Sequence, residues 1–92
     1  MANGSFFHVY LRPRPGITVK QIEEKMNLSI DWYHYDTHNW IVYSTVDVHK
    51  LWARFRPLVS PGGNIFVCEF NAQHRNGWMP QALWTWFKKD RS

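Results

Sequence analysis

Asp31-Trp-Tyr-His-Tyr-Asp36 and Trp40-Ile-Val-Tyr-Ser-Thr45, parted by Asp36-Thr-His-Asn39, decide how this chain folds. Both runs are rich in aromatic and β-branched residues, which suit a pleated, half-buried surface. Asp and Asn between them favour a turn, because their short side chains bond the local backbone. The stretch therefore predicts a hairpin. What stands on either side of it sets the fold class.

Upstream, Phe6 to Leu11 has strand composition, and Arg12-Pro-Arg-Pro-Gly16 breaks it, since proline lacks the N–H and fixes φ. Thr18-Val-Lys-Gln21 spells a capping box, followed by an apolar stripe at Val19, Ile22 and Met26. Downstream, Asp47 can cap a second helix with Val48, Leu51, Trp52 and Phe55 on one side, and Pro57 is expected to end it. On that stripe Trp52 is expected to be a core anchor. Ser60-Pro-Gly-Gly63 leads into a strand over Asn64 to Phe70. After a polar loop, Pro80 opens a short helix carrying Leu83, Trp86 and Phe87. The order strand–helix–strand–strand–helix–strand predicts a single α+β domain, a ferredoxin-like βαββαβ two-layer sandwich with a short C-terminal helix. Both crossover helices then share one sheet face, and the other stays uncovered.

Composition narrows the class. The 92 residues are 45% hydrophobic and 17% aromatic, with six Trp, four Tyr and six Phe, which excludes a disordered chain. The one cysteine, Cys68, has no partner for a disulfide or a zinc ribbon, so a reducing compartment is expected. Met1 to His8 has no basic and apolar leader pattern, and no apolar run approaches the ~20 residues of a membrane span. The expectation is a cytoplasmic protein without membrane partners. Eleven Lys and Arg against seven Asp and Glu leave a net charge of +4, a modest bias towards anionic partners.

Several short patterns resemble a known family. Phe7-His-Val-Tyr10 with Pro15-Gly16, Trp32-Tyr-His34 with Asn39-Trp-Ile-Val42, Pro57-Leu58, Asn64 to Phe70, and Trp84 to Lys88 are similar to SinR-like small bacterial proteins. These are relatives of the VapD ribonucleases and of the CRISPR adaptation nuclease. The resemblance implies a ferredoxin-like homodimer and, in some members, a metal-dependent nuclease whose Asp follows a Tyr at the end of the first strand. Here Leu11 follows Tyr10, and an apolar side chain cannot hold Mg²⁺. The nuclease inference does not carry over.

No other constellation supplies chemistry. Asp36 and Asp47 have turn and cap roles, and Glu69 is an isolated acid in an apolar strand. His34, Asp36 and His38 resemble a metal cluster, but their spacing matches no site class. His8, His49 and His74 show no partner, and Gly62-Gly63 lacks the Lys or helix of a phosphate cradle. No catalytic residue, metal or cofactor is expected.

The uncovered face is the more informative feature. Strand alternation sends Phe6, His8 and Tyr10 outward, and Ile65 and Val67 are expected to join them. Such a face suits stacking on unpaired RNA bases or a dimer interface, and the resemblance favours the dimer. Arg12, Arg14, Arg54 and Arg56 are the candidate phosphate contacts. The expectation is a non-enzymatic homodimer that binds single-stranded or structured RNA, in a toxin–antitoxin or defence setting. The alternative is a divergent metal-dependent ribonuclease.

Overall fold

The structure, a computed structural model, describes residues 4–91. It is α+β, with strands β1 (Ser5–Arg12), β2 (Asp31–Asp36), β3 (Asn39–Ser44) and β4 (Asn64–Phe70). The helices are α1 (Val19–Met26), α2 (Val48–Val59) and α3 (Gln81–Phe87). One four-stranded sheet runs in the order β2-β3-β1-β4, every neighbouring pair antiparallel.

Local chemistry starts the helices where the sequence predicts. Thr18 accepts from the Gln21 N–H while the Gln21 side chain accepts from Thr18 N–H, closing the capping box. Asp47 accepts from Lys50 N–H at 2.9 Å and caps α2. Pro57 does not end α2, which continues to Val59. Proline forgoes the bond to the carbonyl four residues back. The last turn leaves carbonyls without helical partners, and Arg14 takes two of them, its Nε donating to Pro57 and its backbone N–H to Leu58.

The main core lies between the sheet and α1 and α2. Phe7, Val9 and Leu11 of β1 and Trp40 and Val42 of β3 meet Ile22 and Met26 of α1 and Leu51, Phe55, Leu58 and Val59 of α2. The buried side of α2 is thus the line Leu51, Phe55, Leu58 and Val59. Trp52, one residue and about 100° round from Leu51, sits at its margin and is 43% exposed. It is no core anchor.

The opposite face is not wholly open. α3 lies across it, and Leu83 and Trp86 bury Ile41 together with Phe6, Tyr33, Phe70 and Phe87. Phe6, expected to be outward and free, instead lies under this helix, its ring 5.7 Å from Trp86 and 5.4 Å from Phe87.

Candidate nucleic-acid interface

Pairing of β1 with β4 decides which side chains share the face that α3 leaves open. Tyr10 is opposite Phe66, His8 opposite Cys68 and Arg12 opposite Asn64. Directly opposed residues point the same way, so these six form one patch on two strands. Ile65 and Val67 pair with Leu11 and Val9 and pack into the main core. Their expected outward position is corrected by one residue of parity, the smallest slip that moves a whole strand's set to the other face.

The patch is aromatic and cationic. Phe66 is 61% exposed. Tyr10 meets His38 edge-on, their centroids 6.1 Å apart at 72°. Arg12 donates from Nη2 to Asn64 Oδ1, which holds the guanidinium beside the strand ends. Gly63 makes that corner possible: a Cβ there would strike Arg12 O and lie 2.8 Å from Arg14 N.

His8 sits at the inner end of the patch, its Nε2 2.6 Å from the Tyr35 hydroxyl. Burial lowers the His8 pKa below its ordinary value. Burial, and then Asp36, raise that of Tyr35. Both shifts favour a neutral imidazole accepting from an intact O–H. The stripe of Arg12, Tyr10, His8, Asn64, Phe66 and Cys68 contains no carboxylate, and Asp36 lies at its margin.

The four arginines do not converge as one edge. Arg12 and Arg14 stay together at the end of β1, and Arg14 reaches the α2 turn next to the exposed Arg56. Arg54 points elsewhere, Nη1 donating to Ser29 Oγ at 3.3 Å. Phe66 was missed in the sequence because the strand is apolar at both parities.

The hairpin histidines also separate. His34 stacks on buried Trp40 at 3.7 Å and 4° and bonds the Thr37 carbonyl, whereas His38 belongs to Tyr10. Asp36 accepts from Thr37 N–H. Among the described residues no three His, Cys, Asp or Glu side chains gather to hold a metal ion, and no helix is long and apolar enough to cross a membrane. Leu11 is fully buried in the main core, so its position faces away from the patch altogether.

No family model, curated protein or solved structure matches the chain.

Proposed function

We propose that this chain is a non-enzymatic module that binds single-stranded RNA on the open half of its sheet. The observation that carries the reading is the cross-strand pair Tyr10–Phe66, two aromatic rings beside Arg12 in a stripe that itself contains no carboxylate. Aromatic stacking on unpaired bases contributes about 1–3 kcal/mol per base and is indifferent to sequence. Arg12, with Arg14 and Arg56 near the same corner, supplies phosphate contact. Two features support a ferredoxin-like arrangement of the kind that carries such platforms. The sheet order, taken from the other edge, is β4-β1-β3-β2, and both crossover helices pack on one face. The non-enzymatic half rests on Leu11 in the core and on the separate structural uses of Asp31, Asp36 and Asp47.

The test is fluorescence anisotropy of a labelled hexauridylate at low and moderate salt. Tyr10→Ser with Phe66→Ser is expected to weaken binding at least ~10-fold. Arg12→Gln should reduce the log–log salt slope by about 0.7. No binding at low salt, or binding indifferent to these changes, overturns the reading. Cleavage of the RNA with Mg²⁺ or Mn²⁺ overturns its non-enzymatic half and revives the ribonuclease alternative.

A second reading, a homodimer, draws support from the unpaired outer edge of β4. That edge has no proline or bulge, its one charged side chain is Glu69 near its end, and exposed Trp52 and Phe66 flank it. The β2 edge, in contrast, has an irregularity between His34 and Asp36. Light scattering at micromolar concentration decides it, a monomer mass being the adverse result. A toxin–antitoxin or defence setting rests on the resemblance alone.

A further inference from the structure

Beyond the sheet, the loop after β4 builds a second concave site. Its Gln73 N–H bonds the Asn71 side chain and its His74 N–H the Asn71 carbonyl, both at 3.0 Å. Arg75 donates to the Ala72 carbonyl at 2.6 Å and lies over the Phe87 ring, 4.8 Å from its centroid. Trp84 stacks against the same Phe87, at 6.2 Å and 27°. Phe87 therefore fixes a guanidinium and an indole relative to each other. Between them opens a cleft of about 380 Å³ lined by Gln73, Arg75, Asn76, Gly77 and Trp84.

We propose that this cleft binds one nucleotide, the base against the Trp84 indole and the phosphate at Arg75. Gln73 and Asn76 bring amide donors and acceptors of the kind that read base edges. Charge separates a nucleotide from a neutral sugar, which an indole and amides would also suit. No acidic residue occurs between Glu69 and Asp90, while Arg75, Lys88 and Lys89 all do. Lys89 is engaged with Asp31 at 3.4 Å, and Arg75, in the cleft lining, is the cation placed for a phosphate. The larger cleft nearby, about 460 Å³, is lined by Glu69 and no cation and is unsuited to a phosphate. Trp78, next to Gly77 in the chain, is 96% exposed.

The inference deepens the nucleic-acid reading and rests on its ligand class, but on different residues. The nucleotide is either free or one unit of the strand held by the sheet. The experiment is an NMR titration of the full chain with adenosine 5′-monophosphate, hexaadenylate and glucose. Expected are shifts of the Trp84 indole N–H and of the Gln73 and Asn76 side-chain amides with both nucleotide probes and none with glucose. Arg75→Gln should weaken monophosphate binding at least ~10-fold, the loss of one charge-assisted hydrogen bond. Because Arg75 also braces the loop, Gln73→Ala and Asn76→Ala at exposed positions serve as the second test, each lowering affinity.

Tighter binding of the hexamer at the cleft, lost in Tyr10→Ser, assigns the site to a strand; equal affinities assign it to a free nucleotide. A silent Trp84 with both probes, or an equal response to glucose, overturns the proposal. Hexamer shifts confined to Tyr10 and Phe66 overturn it while leaving the sheet platform standing. Shifts confined to the cleft overturn the platform instead.

Discussion

Arg91 places its Nε 3.1 Å from Asp31 Oδ2, joining the end of the chain to the first residue of β2. The pair is largely enclosed, with 6% of the Arg91 side chain and 19% of the Asp31 side chain exposed. The guanidinium also lies over Trp86, Tyr43 and Phe6 at 4.4, 5.2 and 5.3 Å from their centroids, and it donates to the Trp86 carbonyl. One side chain thus fastens α3 to the sheet through charge, ring faces and a helix-end carbonyl. A seven-residue helix has little stability alone. Its position depends on that fastening and on the apolar contacts of Leu83 and Trp86.

Arg91→Ala is accordingly expected to lower stability by about 2 kcal/mol, less than a fully buried pair because Asp31 keeps some solvent. Arg91→Lys should recover only part, since an ammonium lacks the planar fork. Chemical denaturation followed by tryptophan fluorescence measures both. A Lys variant as stable as wild type contradicts the geometry.

Acid should undo this face in two stages. Burial raises the Asp31 carboxyl, but it is outweighed by the Trp86 indole N–H, the Trp32 N–H, Lys89 and Arg91, and the net pKa falls below 3.8. The Trp86 N–H contributes without meeting regular hydrogen-bond geometry. A lowered carboxyl stabilises above its unfolded pKa and loses that contribution as pH falls through the folded one. His8, lowered from 6.5 by burial, binds fewer protons folded than unfolded, so its contribution is complete above 6.5 and declines below it. Stability measured against pH is expected to begin falling below about 6.5 and to fall again below about 3.8. His8→Gln should flatten the first step and Asp31→Asn should reduce the second, which it shares with the Asp47 cap, lowered by the Lys50 N–H.

Trp52→Ala should cost only about 1 kcal/mol, whereas Leu51→Ala should cost about 2–5 kcal/mol. The two are neighbours in sequence, yet Leu51 is fully buried and Trp52 is not. Thermal melts of the pair measure the contrast, and equal losses would refute the orientation of α2.

Gly63→Ala should destabilise by at least ~1–3 kcal/mol, because the new methyl meets backbone atoms of Arg12 and Arg14 and not a yielding side chain. Gly16→Ala provides the comparison. It has nothing within 4 Å of an added Cβ but a φ of 92°, so its cost is conformational and not steric. If the Gly63 change also loosens RNA binding through Arg12, hexauridylate affinity will fall with it.

The sequence by itself determined whatever depends on neighbours along the chain. The Thr18 box, the Asp47 cap, the hairpin and the run from Asn64 to Phe70 are local choices, made by residues within four positions of one another. It also determined the element order, and with it an α+β chain. Only tertiary structure decided which side of each element faces inward where both sides are apolar. Asn64-Ile-Phe-Val-Cys-Glu-Phe70 has apolar residues at either parity, so pairing with β1 alone chose Ile65 and Val67 for the core and Phe66 for the surface. On α2, Leu51 and Trp52 competed for one stripe, and packing against the sheet centred it on Leu51, Phe55 and Leu58, leaving Trp52 at the margin. The covering of Phe6 by α3, and the joining of Arg91 to Asp31 across 60 positions, leave no periodic trace. Side chains brought together only by folding carry no spacing by which a linear pattern could reveal them.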